Sequence, residues 1–289
     1  MRRREFFWLT LPSVLVMFGL MLVPLYRTVE WSLERVSYGA PGDFVGLANY
    51  TAALSEPRFG RAVLFTVGLT VVVTAVLVVL GYLIANMVNR LRRARPLVLG
   101  VLLISYVIPN VVGATAFGWL FDTNFGGVAN LAWTRLTGQD VLWFTEPWPN
   151  RALVTLNVIW SMLPFVMLMI LAGLQGVSKE ALEAAEIDGA GTWKKHRHVI
   201  IPSIRGVLGF AVLICTMDVL RTFDNLVPLA PQAVGLGNES IMLYIYNVAF
   251  RDGAQDLGLG SAISVLTILI ILVLLYPSIR GILKEAKEA

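Results

Sequence analysis

Polar and apolar positions along this chain do not alternate. They separate into long apolar runs divided by short polar segments. Residues 6–26, 62–89, 96–121, 152–175 and 257–279 contain no charged side chain. Each run is about as long as a helix needs to cross a hydrocarbon layer, roughly 20 residues. A sixth stretch, 203–222, is apolar in its middle but carries Asp218 and Arg221 near one end. The runs are too long and too uniform for the strands of a membrane barrel. The first could be mistaken for a cleaved leader behind Met-Arg-Arg-Arg, but it is long, contains Pro12 and Pro24, and lacks a small-x-small cleavage site. The pattern predicts an all-α polytopic membrane protein, a single transmembrane domain over 1–289 with six helices.

Composition agrees. Apolar residues make up 57% and charged residues 15% of the 289, against about 25% charged in a soluble protein. Mean hydropathy is +0.72. A soluble globule could not hide that much apolar surface, and a disordered chain would not have it. A net charge of +4 is too small and too scattered for a nucleic-acid binder. The single cysteine, Cys215, sits in an apolar run, which excludes an internal disulfide and a cysteine-based metal cluster.

Lys and Arg set the orientation. With the N-terminus inside and six crossings, the inner segments hold Arg2–Arg4, Arg90–Arg95, Lys179–Arg205 and Arg280–Lys287, which is 15 of the 23 basic residues. Only 7 of the 19 acidic residues fall inside. Both termini are therefore expected in the cytoplasm. The Arg90, Arg92, Arg93 and Arg95 cluster reads as a topology determinant or an anionic-lipid contact. The run Trp143 to Trp148, in the outer loop, reads as a marker of the headgroup level.

The inner loop at 176–202 carries the most information. Ser178 is a good N-cap, and Glu180 follows in the first turn, where a carboxylate suits the helix dipole. Lys179 to Asp188 are mostly strong helix formers. Gly189 and Gly191 stop that helix, and Thr192 can cap a second one bearing Lys194, Lys195, His196, Arg197 and His198. The two histidines are two residues apart, do not share a helix face, and make a poor metal site. No metal site is expected elsewhere.

Here the chain resembles a known family. Glu183-Ala184-Ala185, three residues, Gly189, nine residues, then Val199-x-Ile201-Pro202 resembles the EAA loop of ABC importer permeases. Gly173-Leu174-Gln175 and the run 183–190 are similar to the carbohydrate-uptake branch, the maltose and glycerol-phosphate type. So are the run 44–50, Phe223-Asp224 and the run 244–250. Leu229 to Ala233 depart from the Leu-Thr-x-Gly-Gly-Pro stretch common in that branch. The resemblance implies a type I importer permease fold whose second to sixth helices form the shared core, with the first helix wrapping a partner. It implies a coupling helix, with Glu183, Ala184, Ala185, Asp188, Gly189 and Pro202 at the contact with a separate ATPase. It also implies the partners: a second related permease, two copies of the ATPase subunit and an external solute-binding protein. The solute would be sugar-like and the setting a bacterial cytoplasmic membrane. The chain has no Gly-x-x-x-x-Gly-Lys-Ser/Thr phosphate loop, so ATP and Mg are expected on the partner and no cofactor in this chain. It is expected to be a transport subunit, with no catalytic residues.

Candidates for the solute path are Asn157, Trp160, Asp218, Arg221, Tyr244 and Asn247. Asp218 and Arg221 are i,i+3 neighbours, which reads either as a polar lining or as a helix-end ion pair. The others offer amide and stacking contacts suited to sugars, or ordinary helix packing. The rival readings are an ion-gradient-driven secondary transporter, an ABC permease for a non-sugar solute, a membrane-embedded enzyme and a scaffold. The first rival wants carboxylates in several spans, and only Asp218 comes close.

Overall fold

The computed structural model describes residues 3–37, 42–91 and 93–288. Of the basic clusters, Arg2 and Arg92 lie outside the described residues. The chain divides into two compact units, one of Met1–Gly60 with Ile241–Ile270 and one of Arg61–Ser240 with Ile271–Ala289.

In the first unit, helix Arg3–Ser32 leads into a two-stranded antiparallel hairpin, Glu34–Arg35 with Asp43–Phe44, in register Glu34↔Phe44. The most apolar window of the helix has none of its residues buried. Its C-terminal end is tied down by Asn49, whose Nδ2 donates to the Ser32 and Glu34 carbonyls at 3.0 and 2.8 Å. Gly258 donates its N–H to the Val36 carbonyl at 3.0 Å. Any Cβ at Gly258 would collide with the Glu34 carbonyl, so the close approach requires glycine there.

The second unit holds most of helix Pro57–Arg90, the helices Arg95–Val107, Asn110–Phe121, Val128–Thr137 and Pro147–Gln175, the inner loop, and helix Arg205–Leu220. Its core is aliphatic, with Val73, Leu77, Leu153, Val154, Val166 and Ile170 fully buried.

Four helices are long and apolar enough to cross a membrane: Phe7–Ser32, Pro57–Arg90, Pro147–Gln175 and Leu257–Gly281. Two more crossings exist only if each of two bent pairs is one span. The predicted single helix over 96–121 is one of these pairs. Arg95–Val107 and Asn110–Phe121 meet at 102°. The cause is Pro109: its ring drives Ile108 out of the helical region, to φ −70°, ψ 131°. Hydropathy sees an unbroken run here because the two residues at the corner are apolar as well.

The other pair, Thr192–Ser203 and Arg205–Leu220, bends by 70° at Ile204. Just before it, His196–Ile200 form a π turn in which the Ile201 N–H reaches back to the His196 carbonyl. Pro202 has no N–H to give His198, and its ring would crowd that carbonyl in a regular helix. The wider turn relieves the crowding.

Candidate coupling knuckle and polar cleft

The inner loop is built by local chemistry. Helix Pro147–Gln175 stops at Gly176, and Ser178 begins the next helix, Lys179–Ile187. The Ser178 Oγ accepts the Ala181 N–H at 3.0 Å and donates to the Glu180 carboxylate at 2.7 Å. That hydrogen bond, with one from the backbone, holds the Glu180 pKa below its ordinary value. The helix ends in a Schellman turn. The Ala190 N–H donates to the Ala185 carbonyl at 2.9 Å and the Gly189 N–H to the Glu186 carbonyl at 3.0 Å, with Gly189 at φ +73°. The expected second cap differs by one residue: Gly191 is the N-cap of the following helix and Thr192 its first residue, with no side-chain cap.

Two ties hold the knuckle in shape. The Lys195 Nζ meets Glu186 Oε1 at 2.6 Å across the glycine turn. The Tyr82 hydroxyl, on helix Pro57–Arg90, meets His196 Nδ1 at 2.6 Å, with the rings edge to face. Burial, with Arg90 and Lys195 nearby, pushes the His196 pKa below its ordinary value. The shift favours the neutral imidazole, and the Tyr82 hydrogen bond anchors the ring.

No residue of Lys179–Ile187 is buried. Glu183, Ala184, Asp188 and Gly189 are exposed and Ala185 is half-buried, so the structure brings five of the predicted coupling residues to one protruding helix and its turn. Pro202 stands apart from them, at the bend. Two residues that the sequence reasoning passed over complete the surface: Ile187 is 86% and Trp193 73% exposed. Large apolar side chains so exposed beside the glycine turn suit a protein partner.

The solute-path candidates separate. Asp218 and Arg221 line one cleft of about 300 Å³ with Tyr106, Asn110, Ser161, Asp224 and Asn225. They make no ion pair with each other, which removes the helix-end pair as an explanation. Asn225 donates Nδ2 to Asn157 Oδ1 at 2.7 Å. Asn157 is fully buried, and its own Nδ2 has no partner. Val158, Ser161 and Met162 face this cleft, whereas Trp160 lines a different one, with Leu163, Pro164 and Met167. At 100° per residue these two sets lie on opposite faces of helix Pro147–Gln175. Trp160 also packs on Phe117, at 5.5 Å between ring centroids. In the other unit, Tyr244 is buried against Phe59 and beneath the Arg58 guanidinium, which lies 4.9 Å from the ring centre. Asn247 opens a π turn there and accepts the Asp252 N–H at 2.7 Å.

Trp143 is corrected outright. It is buried rather than set at a headgroup level, edge-on to Phe121 and Trp133, and its Nε1 donates to Asn130 at 3.0 Å. It belongs to a buried polar network. The Asn150 Nδ2 donates to the Trp143 and Leu229 carbonyls, Asn238 Nδ2 donates to Asn150 Oδ1, and Arg151 Nε donates to Asn238 Oδ1. Among the described residues, no cluster of three His, Cys, Asp or Glu could hold a metal ion.

Comparison with known proteins decides what these parts belong to. Residues 77–286 match the family described as binding-protein-dependent transport system inner membrane component. The chain belongs to this family. It is an ABC importer permease, a multi-pass membrane transport subunit and not an enzyme. The permease is 34% identical over 264 residues to the inner membrane ABC transporter permease protein YcjO of Escherichia coli, covering 90% of this chain and 88% of that one. It is 32% identical to the trehalose transport system permease protein SugA of Mycobacterium tuberculosis, covering 91% and 84%. A permease chain in the crystal structure of a bacterial alginate ABC transporter, in complex with an alginate pentasaccharide-bound periplasmic protein, shares the fold. Its TM-score is 0.81 at 19% identity, with 96% of this chain and 93% of that one covered.

Proposed function

We propose that this permease translocates a sugar or sugar-like solute across a bacterial cytoplasmic membrane, driven by a separate ATPase that grips the 176–202 knuckle. In this reading it crosses six times with both termini inside, the bent pair at 95–121 counting as one crossing and the stretch 203–222 as another. It pairs with a second permease, two ATPase subunits bind ATP and Mg, and an external binding protein delivers the solute. The observation that carries the reading is the knuckle: a helix with no buried residue, closed by a Schellman turn, tied by Lys195–Glu186 and Tyr82–His196, with Ile187 and Trp193 bare at its tip. A rigid, apolar-tipped projection suits the transmission of force to the helices behind it. Relatives that carry trehalose, and the alginate transporter that shares the fold, support the solute class. The cleft with Asp218, Arg221, Asp224 and Asn225 offers the donors and acceptors that hydroxyl groups need.

The test is solute uptake by membrane vesicles carrying the assembled transporter. Glu183→Lys inverts a charge on the exposed helix face. Gly189→Pro forces φ from +73° to about −65° and breaks the turn. Both are expected to abolish ATP-driven uptake while the variants still insert into the membrane at normal levels. Normal transport by both would overturn the coupling role.

A further inference from the structure

One apolar groove in the second unit plays no part in the reading above. It holds about 640 Å³ between the N-terminal halves of helices Pro57–Arg90 and Pro147–Gln175. Its walls are almost wholly apolar, with Leu64, Val72 and Leu156 among them, and no carboxylate lines it. Arg61 and Arg151 both stand at one end, beside Trp148. From Arg61 to Val72 the helix rises about 16 Å, so the groove runs along the helix as a slot rather than a pit.

The two arginines differ in their surroundings. Arg151 is held in place: its Nε donates to Asn238 Oδ1 at 2.6 Å, Nη2 reaches the Gly237 carbonyl at 3.4 Å, and the guanidinium lies 4.7 Å from the centre of the Trp148 ring. A guanidinium has five N–H donors, so two bonds leave donors to spare. Arg61 is exposed and, among the described residues, has no carboxylate within ion-pair distance. Trp148 is 74% exposed, as an indole at the headgroup level is. A positive mouth, an interfacial indole and an apolar slot in a membrane protein match one kind of molecule along its whole length: phosphate outside, hydrocarbon within.

We propose that this groove binds one anionic phospholipid, with its headgroup phosphate on Arg61 and Arg151 and an acyl chain along Leu64, Val72 and Leu156. The site is distinct from the polar cleft and from the knuckle. It gives the two parallel helices a shared ligand at their common end.

The experiment is native mass spectrometry of the assembled transporter titrated with phosphatidylglycerol or with phosphatidylcholine. Wild-type protein is expected to retain one phosphatidylglycerol per permease in preference to phosphatidylcholine. Arg61→Gln is expected to weaken phosphatidylglycerol retention roughly tenfold, the loss of one charge-assisted contact, and to leave phosphatidylcholine unchanged. A second variant leaves the charge alone. Gly68 lines the groove and a Cβ there meets nothing within 4 Å, so Gly68→Phe places its ring in the slot and is expected to lower retention of both lipids. Normal thermal unfolding and ATPase co-purification of both variants show that the fold is intact. Equal retention of the two lipids by wild type, or retention unchanged in both variants, overturns the proposal. So does cross-linking of Gly68→Cys to a helix of the second permease, which would show the groove filled by protein.

Discussion

Asn150 is the side chain whose removal should cost most for its size. It is fully buried and satisfies two carbonyls, from Trp143 and Leu229, while accepting from Asn238. Asn150→Ala leaves the two carbonyls without this partner, while Asn238 keeps the Pro147 carbonyl, and each orphaned buried group costs about 1–3 kcal/mol. The expected result is a loss of about 2 kcal/mol or more, read as a lower unfolding midpoint of the purified protein, with Asn150→Gln losing most of the same. Nothing in the sequence singled this residue out. An asparagine near the start of a helix reads as a cap, and its partner carbonyl on Leu229 is 79 positions away. Ser178 and Gly189 were readable because a cap bonds to neighbours within a few residues.

His196 makes a second prediction, about pH. Its folded pKa lies below the ordinary value of 6.5, first through burial and then through repulsion by Arg90 and Lys195. In the interval between the two values the unfolded chain binds the proton more readily than the folded one. The contribution of this site is therefore fully present above about pH 6.5 and is lost as pH falls through the folded value. The unfolding midpoint should fall more between pH 7 and pH 5 in the wild type than in His196→Gln. Tyr82→Phe, which loses the 2.6 Å hydrogen bond, should destabilise by about 1 kcal/mol.

Helices add a different kind of information. The knuckle helix was legible nearly to the residue because it is short, polar and closed by caps. Its bare apolar tip was not, since an isoleucine after Glu-Ala-Ala-Glu reads as a residue about to be buried in its own chain. The structure leaves Ile187 bare instead. Complete burial of such a side chain against a partner contributes about 1.5–3 kcal/mol. Ile187→Ser should therefore weaken ATPase association by roughly tenfold or more, measured by titrating the ATPase onto the permease in nanodiscs, with helix content unchanged. The opposite failure occurred at 96–121. Hydropathy reports how greasy a stretch is and says nothing about its direction. The 102° corner was signalled only by one dipeptide, Ile108-Pro109.

For the chain taken entire, the sequence predicted six crossings, and among the described residues the structure has four helices long and apolar enough to cross and two bent pairs. Charge counting decided between five and six without any knowledge of bends, because the positive-inside rule depends on loops and not on helix geometry. Topology can be tested directly. Cys215 is 1% exposed and gives a silent background. Gln139→Cys and Lys179→Cys both fall at exposed positions. A membrane-impermeant maleimide should label the former in intact spheroplasts and the latter only after permeabilisation. The reverse pattern would invert the orientation.

The leading helix, unburied over its apolar window, has one more implication. It is an outrigger, fastened to the hull at its far end by Asn49. Its flanks can drift through any greasy vocabulary, trading leucine for methionine or valine, without disturbing a single neighbour in its own chain. Whatever selection acts on those flanks must come from the company they keep, so substitutions there are a record of outside acquaintances.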